Sequence, residues 1–331
     1  MTVNFDNVIK REKRKQRLVT SGILLVAVVL ISGVGVTAVK QRMASQYRAA
    51  QKVAMITDMI ESPNVTSTSH YLAESGIFNR RLKSDRFKNI DGYLVKTAPL
   101  EINFSLFSVG YGGGTQLPIT VPISKTKTIG AFNRENGEKL PLFFNPKHEA
   151  IKKANEADTT HESQTLADLQ KHVAEVAISF KEPMTYAEIQ AKIPDNLLIN
   201  WYWLGMASDK LSVTDTIGKV IGINANEIGQ LTNTPVKSGR ATDWTKHNYP
   251  DFVAAVKKAA ATRKFNSSGI DIYQDALQQI KTYPTLKQAK FSGIIVSGRT
   301  ENLAQLDSQA YIYATNVGLD AEILPYIAPT K

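Results

Sequence analysis

The sequence has no cysteine. That excludes a disulfide framework and any thiolate metal site. A chain exported across a bacterial membrane often does without cysteine, whereas a small eukaryotic ectodomain uses it as a staple, so the absence favours a bacterial source. Histidine is scarce as well: His70, His148, His161, His172 and His247 are the five, no two stand at ligand spacing, and no His-Glu-x-x-His occurs. His148 and His161 sit in polar sequence where solvated side chains are expected. Also missing are a Gly-x-Ser-x-Gly nucleophile elbow and a Ser-x-x-Lys with its partner motifs. The run Gly110-Tyr111-Gly112-Gly113-Gly114 has glycines but lacks the Gly-Lys-Ser/Thr ending of a phosphate cradle, so it reads as a hairpin loop. These absences predict a protein that is not an enzyme, with no catalytic residue, no metal and no cofactor.

Charge is missing from one long stretch. Leu18 to Val39, LVTSGILLVAVVLISGVGVTAV, has no ionisable side chain. At about 1.5 Å per helical residue it spans about 33 Å, enough for a hydrocarbon core of about 30 Å. Gly22, Gly33 and Gly35 suit a lipid-embedded helix, and the hydroxyls of Thr20, Ser21, Ser32 and Thr37 can bond back to the helix backbone. A cleavable signal peptide would have a shorter apolar core and a small-residue exit, but this run leaves through Val39-Lys40-Gln41-Arg42. The expectation is one transmembrane helix over 18–39.

The net charge is +10, and its densest part lies ahead of that run: Lys10, Arg11, Lys13, Arg14, Lys15 and Arg17. Lys40, Arg42, Arg48 and Lys52 follow it at wider spacing. The denser cluster belongs on the cytoplasmic side, where it meets anionic lipid or a partner. The expected topology is a single-pass protein of the cell membrane: a cytoplasmic basic tail, 1–17, and an extracytoplasmic body. The basic residues are not interleaved with aromatics, which argues against direct nucleic-acid binding.

Beyond the anchor, 40–62 reads as a helical stalk, continuous with the span or lying on the membrane, and Ser62-Pro63-Asn64 stops it. Residues 63–147 read as a β-rich domain. Asp91-Gly92 is a turn signal, Leu100–Val109 alternates like a half-buried strand, Leu117–Ile123 carries Pro118 and Pro122 and can only be an edge strand, and Asn133–Glu138 is a polar turn. Residues 148–172 read as a connector with a short helix near 163–171. The remainder, 173–331, alternates strands and helices with two β-α-β arrangements, and Thr185 with Glu188 forms a capping box. The fold class expected is α+β: one N-terminal transmembrane helix, a β-rich membrane-proximal domain and a C-terminal α/β-sandwich-like domain.

Trp201 and Trp203, two apart on one strand, share a face. Either they form an aromatic surface for a cell-wall polymer or they pack under helices, and the flanking Leu197, Ile199 and Leu204 favour the core.

Particular residues carry a resemblance. The run VIKREKRKQR ahead of one span, Ser62-Pro63-Asn64, Lys88-Asn89-Ile90-Asp91-Gly92 and GEKLPLFFNP (137–146) resemble the sigma factor regulator N-terminal domain. VAEVAISF (173–180), Tyr186-Ala187-Glu188-Ile189 and Asn200-Trp201-Tyr202-Trp203 resemble its C-terminal counterpart. The resemblance implies a membrane-anchored, anti-sigma-factor-like regulator of a Gram-positive bacterium, passing an envelope signal to a cytoplasmic sigma factor. About 17 residues precede the span, fewer than a multi-helix sigma-binding domain needs. What is implied is therefore a tail that docks as a short helix on a sigma factor or another membrane subunit. The other reading is an extracytoplasmic binding or structural module of the cell envelope with no sigma factor partner.

Overall fold

The structure is a computed structural model that describes residues 5–110, 118–123, 128–148, 159–233 and 247–331. The first element is one unbroken helix, α1, Phe5–Ile60, 56 residues long. No proline interrupts it before Pro63, and Lys, Arg, Gln, Ala, Leu and Met, all good helix formers, recur along it. Thr20 and Thr37 donate to the carbonyls of Gln16 and Gly33, both at 2.8 Å, as isolated hydroxyls in an apolar helix must. The helix ends where Glu61 N–H bonds Thr57 O at 2.9 Å and Asn64 turns to φ 53°.

Along 18–36 the large apolar side chains are bare: Leu18, Val19, Ile23, Leu24, Leu25, Val26, Val28, Val34 and Val36 are all more than half exposed. Among the described residues no helix is long and apolar enough to cross a membrane, the side chains at 27 and 29–32 standing outside the described set.

From Val39 onward the helix enters the body. Met43, Ala50, Val53 and Ala54 pack on Leu82, Leu100, Ile102 and Phe104. Those four residues come from an antiparallel meander of β1 (Val65–Ser75), β2 (Asn79–Ile90) and β3 (Tyr93–Ser105). The segment 40–60 is therefore built into the fold, not a stalk standing off it. The β2–β3 hairpin closes on Asp91 (φ 52°) and Gly92 (φ 95°), the two-residue turn that Asp-Gly favours.

A second small sheet holds β4 (Ile119–Ile123), β5 (Thr128–Phe132) and β6 (Lys139–Leu140), with β4 and its proline at the edge. Asn133–Glu138 makes the expected turn before β6. Of the glycine-rich loop only Gly110 lies within the described residues.

The large sheet has the order β13-β7-β12-β8-β9, all pairs antiparallel. Its strands are β7 (His172–Thr185), β8 (Leu198–Trp203), β9 (Gly222–Asn224), β12 (Lys290–Arg299) and β13 (Ile312–Glu322); β10 (Asn266–Ser267) and β11 (Ile270–Asp271) form a separate two-residue hairpin. Helices α2 (Tyr186–Lys192), α3 (Val213–Thr216), α4 (Tyr249–Thr262), α5 (Ile272–Thr282) and α6 (Thr300–Leu303) complete the chain. The two expected β-α-β units are present in split form. β7-α2-β8 has β12 between its strands, and β12-α6-β13 has β7 between its strands, so the two units interleave into one sheet. The capping box that opens α2 is formed, Thr185 Oγ1 accepting from Glu188 N–H and Glu188 Oε2 from Thr185 N–H at 2.7 Å.

The main core unites this sheet with α2, α4 and α5, and the last turn of α1 joins it through Met59 and Ile60. Trp201 and Trp203 are 0 % and 1 % exposed. Phe143 stacks on Trp203 at 4.7 Å and tilts against Trp201 at 5.5 Å. No aromatic surface for a wall polymer exists there: both rings are core, for the reason their apolar neighbours suggested.

The stretch read as a connector is described from 159 onward and lies against β13. Thr160 Oγ1 donates to Thr315 O at 2.7 Å, and Asp307 accepts from Ser163 Oγ at 2.6 Å and stands 3.0 Å from His161 Nδ1. Ser163–Asp168 forms a short 3-10 helix.

Candidate functional site at the foot of helix α1

Where α1 ends, buried charges converge on it from the meander on one side and from the end of α4 and the loop before β9 on the other. Burying an ion is unfavourable unless a partner stands against it, and each charge here has one. Glu61, just past the last helical residue, accepts from Arg263 Nη1, from the Tyr273 hydroxyl at 3.0 Å and from Lys219 Nζ at 3.1 Å. Arg263 caps α4. Its guanidinium also donates to Thr57 Oγ1 at 3.1 Å and to Val53 O at 2.8 Å. One planar fork thus holds three successive turns of α1 on the face toward α4, which the single ammonium of a lysine could not do. Burial, together with the Glu61 charge, pushes the Tyr273 phenol far above its ordinary value, so it remains a hydrogen-bond donor at any working pH.

On the other side of α1, Asp58 accepts from Arg86 Nη2 of β2 at 2.7 Å, and that nitrogen reaches Ser62 Oγ at 3.1 Å. His70 of β1 stands 3.6 Å from Asp58. The helix foot is therefore fastened to the small meander by Asp58 and, three residues on, by Glu61 to the end of α4, to α5 and to the loop before β9.

A third set joins the sheets directly. Lys88 of β2 lies between Glu175 Oε1 of β7 at 2.5 Å and Glu138 Oε1 at 2.9 Å, with all three side chains 3 % exposed or less. The second oxygen of Glu175 accepts from Asn64 Nδ2 at 2.8 Å, and that of Glu138 from Thr97 Oγ1. Burial alone would lower the Lys88 pKa, but the two carboxylates outweigh it and hold the ammonium above its usual value. For Glu138, burial is likewise outweighed, by Lys88 and Thr97, and its pKa is lowered. Lys88 and Glu138 therefore stay charged throughout the neutral range.

The β2–β3 turn plugs into the large sheet beside this trio. Asn89 O accepts from Asn64 Nδ2 and Asn200 Nδ2, each at 3.0 Å. Asp91 N–H donates to Ser297 Oγ at 2.9 Å, and Ser297 in turn donates to Asn200 Oδ1 at 2.7 Å. The chain's last residues close over the turn: Thr330 N–H bonds Asp91 O and Lys331 N–H bonds Asp91 Oδ1, both at 2.9 Å, while Tyr93 OH donates to Ile327 O at 2.6 Å. Burial pushes the Asp91 carboxyl up to about 6 against the opposing pull of these amides and of Arg299.

This arrangement is mechanical. Its charges neutralise one another in place, and among the described residues no group of three His, Cys, Asp or Glu is gathered to hold a metal ion. What it can do is keep α1, the meander and the large sheet in one fixed relation.

The basic residues singled out from the sequence, Lys10, Arg11, Lys13, Arg14, Lys15 and Arg17, all lie on the exposed first turns of α1. Lys15 stands 3.4 Å from Glu12. They share the helix with the charged foot but lie about 65 to 76 Å from it along the axis, at about 1.5 Å per residue. Sequence reasoning missed the foot itself. The available signal was charge out of place: Glu175 inside the otherwise apolar VAEVAISF, and Glu61 at the end of an apolar stripe.

Two family models match the chain. The sigma factor regulator N-terminal model matches residues 6–95, covering α1, β1, β2 and the start of β3, and the sigma factor regulator C-terminal model matches residues 166–319, covering most of the large sheet and its helices. No curated protein and no solved structure is detectably similar to it. Among the described residues, the ion pairs of Glu61 with Arg263 and Lys219 each join a residue of the first match to a residue of the second, and the chain, carrying both halves, belongs to the sigma factor regulator family.

Proposed function

We propose that the chain is a membrane-anchored, anti-sigma-factor-like regulator. Residues 18–39 cross the cell membrane once, the basic tail meets a sigma factor or another membrane subunit in the cytoplasm, and the folded body outside responds to an envelope signal. The protein works by binding and conformational change and performs no catalysis.

The observation that carries this reading is the unbroken course of α1. A helix apolar on all sides has to be covered by protein or by lipid, and the large apolar side chains described along 18–36 are more than half exposed. The same helix runs on into the charged foot, so a change in how the body packs is delivered directly to the tail. The positive-inside bias places the tail in the cytoplasm. Both halves of the family pattern support a regulatory role toward a sigma factor.

The test is co-purification from native membranes with a transcriptional readout. Full-length chain is expected to retain a sigma factor, and replacing Lys10, Arg11, Lys13 and Arg14 by Gln, with Lys15 and Arg17 kept for topology, is expected to release it and raise transcription from its promoters. Recovery of no sigma factor, with unchanged transcription in a deletion strain, would leave an envelope-binding or structural module as the better account.

A further inference from the structure

The end of the meander farthest from the Asp91 turn carries apolar side chains with nothing among the described residues over them. Two loops meet there, Gly76-Ile77-Phe78 between β1 and β2, and Leu106-Phe107-Ser108 after β3. Ile77 is 72 % exposed, Phe78 58 % and Phe107 89 %. The loops are tied together, Leu106 N–H donating to Phe78 O at 3.3 Å. They are also tied to α1: Arg42 Nε and Gln46 Nε2 both donate to Leu106 O, at 3.0 and 3.1 Å. Val39, Leu106 and Val109 pack against the same apolar cluster. The tip is thus held at the level of 39–46, where the charge-free run ends.

Beside the apolar tip lies an open recess of about 400 Å³ lined by Asn79, Arg80, Arg81, Asn103, Ser105 and Ser108, among others. Arg80 Nε reaches Gly76 O at 3.4 Å, and Arg81 pairs with Glu101 at 3.3 Å. Lys40 and Arg42 stand exposed on the adjoining turns of α1.

We propose that this tip is a second membrane contact, seated in the leaflet at the Val39 end of α1. Ile77, Phe78 and Phe107 enter the boundary between headgroups and acyl chains, and Lys40, Arg42, Arg80 and the polar recess meet lipid phosphate. The proposal rests on the reading that 18–39 crosses the bilayer. Given that, the geometry follows. Arg42 is three residues beyond Val39, about 5 Å along the helix, and the loops bonded to it fall at the depth of about 5–10 Å at which interfacial apolar groups reside. Aromatic and basic side chains are the residues that settle at that depth. A second attachment point on a body already fastened to α1 fixes the angle at which the body stands on the membrane.

The chain has no cysteine, so single probes can be placed cleanly. Full-length Phe78→Cys, Phe107→Cys and, as a control at the opposite end of the hairpin, Tyr326→Cys are labelled with an environment-sensitive fluorophore. The labelled chains are reconstituted in bilayers of zwitterionic lipid with or without about a third anionic lipid. Protease protection of 18–39 is measured in the same samples. The expected result is blue-shifted emission at 78 and 107, quenched at least severalfold more by a lipid-borne nitroxide than at 326, with the effect stronger in anionic bilayers. Arg42→Gln with Arg80→Gln is expected to abolish the anionic preference while leaving 18–39 protected. Water-like emission at 78 and 107 in chains whose 18–39 is protected overturns the tip contact and leaves the span intact. An unprotected 18–39 removes the span, and the tip contact falls with it. Blue-shifted emission that nitroxide lipid does not quench assigns the tip to a protein partner and overturns the proposal.

Discussion

At the scale of single residues, Glu61 and Arg263 decide how firmly α1 is held. Removing one member of a buried ion pair strands the other, at a typical cost of about 3–5 kcal/mol. Arg263→Met is therefore expected to destabilise the body by about that much, read as a lowered denaturation midpoint of the reconstituted full chain. Adding Glu61→Gln to it should recover part of the loss, because the stranded carboxylate is then neutral; a double variant no more stable than Arg263→Met would show that the pair contributes through packing alone. Asp91 gives a pH signature of the opposite kind from an ordinary ion pair. Its carboxyl titrates near 6 in the folded chain, above its usual 3.8, so the folded state binds this proton more tightly than the unfolded state does. The group favours folding below about pH 4, and that contribution is lost as pH rises through 6. Asp91→Asn tolerates the positive φ and keeps an oxygen for Lys331 N–H. Its stability relative to the parent is expected to rise by up to about 3 kcal/mol between pH 4 and pH 7. Parallel pH profiles in urea titrations of the two chains would refute the assignment.

At the scale of elements, what the sequence made legible depended on whether apolar residues carried the pattern. β7 and β12 read clearly because their long buried runs are mostly apolar, with Glu175 and a few serines inside them. β2 did not. Its buried positions alternate strictly, but they are Leu82, Ser84, Arg86, Lys88 and Ile90, so the period of two is written partly in polar side chains, and the charged ones, Arg86 and Lys88, have partners more than twenty residues away. The same cause hid the candidate site, whose pairs Glu61–Arg263 and Lys88–Glu175 join positions distant in sequence. The helix over 40–60 was legible as a helix, but its burial was not, since the surface that covers it comes from β2 and β3. α1 itself supports a phase test. An insertion rotates everything before it by about 100° per residue relative to the body. Two alanines added after Val39 are expected to disturb signalling strongly, and seven, close to two full turns, much less, as read by a promoter reporter. Equal effects of both lengths would mean that the helix transmits presence of the tail and not its orientation.

At the scale of the whole molecule, the chain's two ends of sequence pattern are joined by the charged foot and by the last residues folding back over the Asp91 turn. Ending the chain at Glu322 removes Leu324 N–H from Tyr93 OH, Ile327 O, and both amides that bond Asp91. Losing a few hydrogen bonds worth about 1 kcal/mol each is expected to lower stability measurably and to expose the β2–β3 turn to protease first; a cleavage pattern identical to that of the full chain would show the tail to be a passive cover. Topology is tested at the same scale. Replacing Lys10, Arg11, Lys13, Arg14, Lys15 and Arg17 by Gln is expected to weaken or invert insertion, and reporter fusions that still place the body outside would show that another feature sets orientation.

The continuity of α1 has a geometric corollary. A stiff rod held by the body from Val39 to Glu61 is a lever whose free arm, from Val39 to Arg17, measures about 33 Å. Leaning the body by about 10° would swing the basic tail sideways by about 6 Å, roughly one helical turn, so a modest reorientation of the body is enough to slide the tail by one turn against whatever it touches.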